Sequence, residues 1–288
     1  MRLVKKTVNQ DDVRAYHLFY ADGKGSPGSD LTFFDWALAA PERRGTHSVA
    51  RTALRIAGGD ESLSWWRARL QAAGASVQPP VEVDGRRTLP FEDPEGQRLA
   101  LVDDGGAGDA YPWHDAPVPL ERQIRGLGPV LLSVPDARPT VAVLEELLGM
   151  QPTREYRLET GNQVLVLSMG QGGAGAEVHV AVQPELPPTR PGAGGVHHIA
   201  FRTRDEAQHR AWLERLDAYR IPNSGRVDRF YFRSLYFREP NGILFEIATD
   251  GPGFDVDEPL DRLGASLVLP PFLEPRRADI EAHLRPLA

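Results

Sequence analysis

Apolar residues recur along the chain in short alternating segments that Pro and Gly separate. Two of these segments match each other closely, because residues 91–104 and 237–250 each place a Pro-x-Gly turn between two alternating apolar runs. Pro fixes φ and Gly admits a positive φ, so the pattern predicts a β-hairpin at each place. The recurrence of the hairpin indicates that the chain is built from related modules.

Each hairpin follows the same pair of predicted elements. Residues 50–55 and 197–202 are typical of strands and lie about 50 residues before the matching part of their hairpins. Trp and Leu then recur at one-turn spacing in residues 65–70 and 212–216, which predicts a helix in each copy. The unit is therefore a strand, a helix and three further strands.

A third copy lies between these two. It has a strand at 129–136, a helix at 141–148 that Gly149 ends, and strands at 163–168 and 176–182. The opening of the chain matches only the last three strands of a copy. We therefore predict an α+β fold of four βαβββ modules, of which the first is incomplete at its N-terminus.

The composition narrows the chemistry that this fold can carry. The 288 residues include no Cys, which excludes disulfides, thiolate ligands and Cys nucleophiles. A net charge of −7 argues against nucleic acid or an anionic membrane surface as the main partner. No apolar run approaches the roughly 18 residues of a membrane span. The charged N-terminus is not followed by the apolar segment of a signal peptide, so we do not expect one. We expect a cytoplasmic protein.

Short motifs spread over nearly the whole chain resemble those of one superfamily. They lie at residues 3–9, 16–18, 25–28, 31–34, 196–201, 228–229, 231–234, 236–240, 244–250, 269–271 and 274–277. With the βαβββ order, they resemble the vicinal oxygen chelate superfamily of glyoxalases, bleomycin resistance proteins and extradiol dioxygenases. More narrowly, the chain resembles the ring-cleaving, hydroquinone-type dioxygenases of that superfamily.

The resemblance implies a metal site in the fourth module. The superfamily places metal ligands on the first and last strands of a module, which here are His198 and Glu246. The second copy has Arg51 and Ala100 at these positions, and the third copy has Pro129 at the first one. A neutral imidazole and a carboxylate are two parts of the facial triad that binds Fe(II). Mn(II), Zn(II) or Ni(II) are alternative metals for the same ligands.

No residue of this chain matches the family's third ligand, a His on the first strand of the first module. Either a start upstream supplies that strand, or the module has degenerated. His17 and His47 lie on predicted strands and could replace the ligand, but hydrogen-bonded structural roles are the stronger expectation for both. We expect structural roles for His114 and His179 as well.

The resemblance also implies three catalytic residues. It places His197 near the substrate as an acid–base residue, although strand alternation would point it away from the side of His198. Arg229 and Tyr236 match residues that line the substrate cavity in the family. The alternatives are simple packing for His197, a surface position for Arg229 and a core position for Tyr236.

We predict two domains, 1–110 and 126–288, joined by a linker at 111–125. The expected activity is Fe(II)-dependent, extradiol-type cleavage of a substituted hydroquinone or related aromatic diol by O₂. The family pairs its first and fourth modules around the metal, so the resemblance implies a cavity to which both ends of the chain contribute. A non-oxidative glyoxalase-like metalloenzyme and a metal-free small-molecule-binding protein are the alternatives, and a homo-oligomer is left open.

Overall fold

A computed structural model describes residues 1–287 of the chain. Its strands are β1 (Arg2–Val8), β2 (Tyr16–Ala21), β3 (Leu31–Phe34), β4 (Ser48–Ile56), β5 (Ser76–Val77), β6 (Val81–Val83), β7 (Arg86–Glu92), β8 (Arg98–Asp103), β9 (Gly126–Val134), β10 (Gln151–Arg157), β11 (Gln163–Ser168), β12 (Glu177–Val182), β13 (Ile199–Thr203), β14 (Asn223–Asp228), β15 (Arg233–Arg238) and β16 (Leu244–Thr249). Its α-helices are α1 (Gly59–Ala72), α2 (Ala137–Ala142), α3 (Glu206–Ala218) and α4 (Arg277–His283). A π-helical turn (Val143–Leu147) extends α2.

The element order runs from strand to helix to strands in three successive segments. We name the segments repeat 2 (48–103), repeat 3 (126–182) and repeat 4 (197–249), and the three strands before them repeat 1 (2–34). In each of the three, the first strand pairs in parallel with the last, β4 with β8, β9 with β12 and β13 with β16. The predicted mixed α+β fold is confirmed.

Repeats 2 and 3, which we call the inner pair, share one nine-stranded sheet. Its order is β10-β11-β12-β9-β4-β8-β7-β5, with β6 attached to β7. The two repeats join where β4 runs antiparallel to β9, with Thr52 opposite Val130. This pairing joins β4, which comes before the predicted linker, to β9, which comes after it. The division of the chain into two domains stays a prediction.

Repeats 1 and 4, which we call the outer pair, form two separate sheets. One has the order β1-β2-β3 and the other β13-β16-β15-β14. The side chain of Lys5 crosses to the segment after repeat 4, where its Nζ lies 2.6 Å from the Asp257 carboxylate. Val4 and Phe19 pack in one apolar cluster with Phe254. The first and fourth repeats therefore lie side by side, as the resemblance to the superfamily implies for the two modules that border the candidate active site.

Local sequence explains where the helices begin. Asp136 and Asp205 each cap a helix, because their carboxylates accept hydrogen bonds from the backbone N–H groups of Arg138 and Gln208. The helix predicted at 141–148 therefore begins four residues earlier. Both helices pack into the largest apolar cluster, which contains Leu132, Leu144, Leu216, Phe237 and Phe245. No helix within residues 1–287 is both long and apolar enough to cross a membrane.

Candidate active site between the outer repeats

His198 and Glu246 meet at the parallel pairing of β13 with β16. Glu246 lies opposite Ala200, and His198 directly precedes β13, two residues before that position. The Nε2 atom of His198 lies 2.8 Å from the Glu246 Oε2 atom. Glu246 is buried, whereas His198 is partly open to solvent. The pair predicted from the resemblance is thus brought together, with the carboxylate buried and the imidazole partly open to solvent.

The surroundings of Glu246 favour its charged form. Burial by itself would raise the pKa of Glu246, but hydrogen bonds from His198 and Ser234 outweigh burial and hold the pKa below its ordinary value. Ser234 donates its hydroxyl to the other carboxylate oxygen from the neighbouring strand β15. A carboxylate that is buried, anionic and already oriented is suited to binding a cation.

His197 lies on the same cavity as His198. Their Nδ1 atoms are 2.9 Å apart, so one of the two rings donates a hydrogen bond to the other. Strand alternation would have placed them on opposite sides, but both residues precede β13, where the alternation does not apply. The His197 ring also stands edge-on to Phe34 and Trp36, at centroid distances of 6.2 and 6.0 Å. Repeat 1 therefore supplies an aromatic wall beside the two histidines.

Tyr236 and Arg229 complete the side of the cavity that repeat 4 forms. Tyr236 lies opposite Glu246 on β15, and its ring meets the His198 ring edge-on at 5.9 Å. Burial and the neighbouring Glu246 carboxylate raise the pKa of Tyr236 to about 12. The Arg229 Nε donates to the Tyr236 hydroxyl at 3.4 Å, and Asp11 of repeat 1 holds the guanidinium at 2.9 and 3.1 Å. Tyr236 and Arg229 are both partly buried, and their catalytic roles stay a prediction.

His17 also faces this cavity, in a state that the sequence did not predict. Its ring lies between Phe19 and Phe34, at centroid distances of 3.9 and 4.2 Å. Its Nε2 atom is buried and has no hydrogen-bond partner among the described residues, so the expectation of a hydrogen-bonded structural histidine is wrong. Burial, together with the nearby His198 and Arg229, lowers the pKa of His17 to about 3.

The other histidine considered as a replacement ligand has the structural role that we expected. His47 bonds through Nδ1 to the Thr46 hydroxyl at 2.7 Å. His17, His198 and Glu246 do not bring their ligand atoms within 4.8 Å of one another in the described part of the chain. Within residues 1–287, no third histidine or carboxylate therefore joins the pair of His198 and Glu246 at that distance.

A second group of potential metal ligands lies in the inner pair of repeats. Asp84, Glu177 and His179 bring ligand atoms within 4.8 Å of one another, so the chain contains a possible metal-binding triad here. Both carboxylates already bind guanidinium groups, because Arg86 lies 2.6 Å from Glu177 and Arg154 lies 3.0 Å from it and also contacts Asp84. His179 lies opposite Leu131, as Glu246 lies opposite Ala200.

His179 was expected to have a structural role. The sequence analysis did not place it in the cluster of Asp84, Glu177 and His179, which we call the inner cluster. The signal was present in the chain. Pro129 was placed at the first-strand ligand position of repeat 3, and the parallel register from β9 to β12 leads from there to His179. That register requires the strand pairing, which the spacing of the segments alone does not fix to one residue.

Known proteins are similar to this chain in both sequence and structure. The family model of the Glyoxalase/Bleomycin resistance protein/Dioxygenase superfamily matches residues 126–247. The chain is 46% identical over 288 residues to "Putative ring-cleaving dioxygenase MhqA" of Bacillus subtilis (strain 168), covering 100% of this chain and 91% of that protein. It is 30% identical over 279 residues to "Chlorohydroquinone/hydroquinone 1,2-dioxygenase" of Sphingobium indicum, covering 95% and 84%.

A solved structure extends the similarity to three dimensions. The crystal structure of a "putative dioxygenase" from Bacillus subtilis superposes with a TM-score of 0.90 at 33% identity, covering 100% of this chain and 89% of that one. The similarity in sequence and in structure spans the chain from end to end. The chain therefore belongs to the ring-cleaving dioxygenases of the glyoxalase/bleomycin resistance/dioxygenase superfamily and is an enzyme of that family.

Proposed function

We propose that this enzyme opens the ring of a substituted hydroquinone or a related aromatic diol with O₂, using Fe(II) held by His198 and Glu246. The observation that carries the proposal is the 2.8 Å contact between these two side chains in a cavity that also presents Tyr236 and Arg229. The name of the Sphingobium relative supports the substrate class, since that protein is named for chlorohydroquinone and hydroquinone.

The donor atoms of this pair fit a divalent metal ion. Imidazole nitrogen and carboxylate oxygen are the donors of non-haem Fe(II) sites, and the same donors suit Mn(II), Zn(II) and Ni(II). The 2.8 Å contact of His198 Nε2 with Glu246 Oε2 brings one donor atom of each kind together. The anionic state of Glu246 supplies charge that such an ion needs.

His198 and Glu246 would hold the Fe(II), which would supply Lewis-acid and redox chemistry toward the diol and O₂. The protein's own groups divide the remaining work. Arg229 offers a fixed positive charge to the substrate anion. Tyr236, with its raised pKa, stays protonated at neutral pH and donates a hydrogen bond. His197 lies where it can accept a proton from a substrate hydroxyl.

The aromatic wall of repeat 1 supports an aromatic substrate. Phe34 and Trp36 stack at a centroid distance of 4.7 Å with their planes 15° apart, and both stand edge-on to His197. Trp36 is 41% exposed, which leaves part of its ring open to contact. Aromatic rings associate in offset-stacked or edge-to-face geometry, so this wall can orient a planar diol beside the two histidines.

The test is oxygen uptake by the chain after anaerobic loading with Fe(II), with chlorohydroquinone as the substrate. We expect one O₂ consumed for each ring opened, because both oxygen atoms enter the product. Glu246→Gln should lower the rate at least about 1,000-fold, and Tyr236→Phe about 10- to 100-fold with Fe(II) binding retained. Tyr219→Phe, on the exposed face of α3, is the matched control. Ring opening without oxygen uptake, or full activity in Glu246→Gln, would contradict the proposal.

A further inference from the structure

A second cavity lies in the inner pair of repeats, away from His198 and Glu246. Residues of β4, β6, β7, β8, β9 and β12 line it, and its empty volume of about 360 Å³ is open to solvent and includes the solvent at its mouth. Leu131 on β9 pairs with Arg51 on β4 and with His179 on β12. These three residues therefore form one row across the sheet, and all three line the cavity.

The strand register relates this cavity to the outer one. Ala100 lies opposite Ala53 on β4, and Arg51 is two residues before that position. Glu246 lies opposite Ala200, and His198 is two residues before it. Arg51 and Ala100 therefore take the places of the His and the Glu in repeat 2. The inner cavity holds a guanidinium where the outer cavity holds an imidazole.

The acidic side chains at the inner cavity are already neutralised. Glu177 accepts two hydrogen bonds from Arg86, at 2.6 and 2.9 Å, and a third from Arg154 at 3.0 Å. Arg154 also binds Asp84 at 2.8 Å. The carboxylates of Glu177 and Asp84 are thus balanced by the guanidiniums of Arg86 and Arg154. Within the described chain, the positive charge of Arg51 has no carboxylate to balance it. The cavity favours an anion over a metal cation.

Arg51 itself has no hydrogen bond and no ion pair among residues 1–287, although it is mostly buried. Burial lowers its pKa, which shows the cost of holding an unpaired charge there. Arg98 follows the same face of β8 as Ala100 and Val102 and has no partner in the described part of the chain either. Arg51 therefore lies beside a second free guanidinium, and an anion between the two would relieve both.

We propose that the inner cavity binds a small organic monocarboxylate, with the carboxylate on the Arg51 guanidinium and the hydrocarbon part against Ala100, Val102 and Leu131. A planar guanidinium suits a carboxylate because two parallel N–H···O bonds form. Among the described residues, Arg51 is the one unpaired guanidinium that lines the cavity, and Arg98 lies outside the lining with the carboxylates of Glu42 and Glu92 nearby, so a monoanion matches the charge. The apolar walls distinguish a carboxylate with a hydrocarbon tail from a bare inorganic anion. The proposal does not depend on the proposed oxygenase activity.

Isothermal titration calorimetry of the full metal-free chain with sodium propionate, in chloride-free buffer, tests this proposal. We expect one saturable site whose affinity falls at least tenfold in Arg51→Met and partly recovers in Arg51→Lys. Arg138→Met removes an exposed guanidinium far from the cavity and should change nothing. His198→Ala should also leave propionate binding intact, which separates the inner cavity from the candidate active site.

A second variant keeps the test decisive if Arg51→Met folds poorly. Ala100→Glu places a carboxylate of the chain itself beside Arg51, so it should remove propionate binding while the thermal midpoint stays equal or rises. Absence of saturable binding in the unaltered chain, or unchanged affinity in both Arg51→Met and Ala100→Glu, would overturn the site. Chloride that binds as tightly as propionate would overturn the assignment to an organic acid.

Discussion

The inner and outer pairs of repeats use the same elements and reach opposite results. In the inner pair, β4 bonds to both β8 and β9, so one sheet of nine strands crosses the junction. In the outer pair, β13 bonds to β16 alone and β3 to β2 alone, within the described residues. The strands of the inner pair therefore form one continuous sheet, whereas the described strands of repeats 1 and 4 form no common sheet.

The side chains of the two sites also differ in their hydrogen bonds and ion pairs. The outer cavity keeps His198 and Glu246 in contact and leaves the Nε2 atom of His17 without a partner among residues 1–287. In the inner cavity, the acidic groups are tied to arginines, and His179 bonds to the Tyr156 hydroxyl at 3.1 Å. Satisfied networks of buried polar groups stabilise a fold. The catalytic chemistry that we propose belongs to the outer pair, and the ion pairs of Glu177 give the inner pair a mainly supporting role.

The largest expected effect comes from replacing one histidine in each pair of repeats by Ala, which tests whether the metal binds in the outer or the inner pair. We expect His198→Ala to abolish tight binding of Fe(II) and to lower oxygen uptake at least about 1,000-fold, since a metal ligand is lost. His179→Ala should leave both properties within about twofold, because the arginines already neutralise its carboxylate neighbours. Anaerobic titration with Fe(II), followed by oxygen uptake, measures both. A loss of Fe(II) binding in His179→Ala alone would place the metal in the inner cluster instead.

The supporting role of the inner pair predicts a large effect on stability at Glu177. This side chain is 2% exposed and bridges Arg86 and Arg154, so Glu177→Gln leaves Asp84 as the one carboxylate beside both guanidiniums. We expect the free energy of unfolding to fall by about 2–3 kcal/mol, less than for a fully buried pair because both arginines are partly exposed. Urea denaturation measures this change.

Glu206 provides the matched control for that measurement. It also bridges two arginines, Arg226 and Arg233, but its side chain is 49% exposed. Glu206→Gln should lower the free energy of unfolding by less than about 1 kcal/mol, because solvent screens an exposed pair. Equal losses in the two variants would mean that burial in the inner cavity adds nothing to the ion pairs there.

The smallest expected effect concerns the unpaired His17 of the outer cavity. Its pKa is about 3 in the folded chain against 6.5 as the ordinary value, so below pH 6.5 the unfolded chain binds a proton that the folded chain does not. This histidine's contribution to stability is therefore present above pH 6.5 and is lost as the pH falls. Between pH 8 and pH 5.5 the metal-free chain should lose about 1.4 kcal/mol from this residue.

Urea denaturation of His17→Gln at both pH values isolates that contribution. The variant should lose less stability than the unaltered chain over this pH interval, by about the same 1.4 kcal/mol. His114→Gln, in an exposed part of the predicted linker, should behave like the unaltered chain. Parallel losses in the unaltered chain and in His17→Gln would show that the His17 ring takes up a proton freely and is not confined.

The strands and helices could be predicted from the sequence wherever a local pattern sufficed. The Pro-x-Gly hairpins and the Trp and Leu spacing predicted the strands β7, β8, β15 and β16 and the helices α1 and α3. The start of α2 was placed too late, because the capping role of Asp136 lies before the apolar pattern begins. Repeat 2 also has two short strands, β5 and β6, where one was expected, since hydrogen bonds to β7 define them.

The candidate site divides in the same way. His198 and Glu246 were predicted through a resemblance of motifs, and so were His197, Arg229 and Tyr236, whose catalytic roles remain proposals. The unpaired state of His17 was not predictable, because it depends on the aromatic rings that surround it. The ion pairs of Glu177 with Arg86 and Arg154 could not be predicted either, because these partners lie 91 and 23 positions away in the chain.

The sequence by itself determined the repeated unit, the α+β class and the residue types available for metal chemistry, since each of these follows from short-range periodicity and composition. The tertiary structure alone decided which repeats share one sheet and which form separate sheets. It also decided that one site brings His198 and Glu246 into contact while the other has its carboxylates neutralised by arginines. Strand pairing and burial act between residues far apart in the chain, and they set the charge and the hydrogen bonds of each cavity.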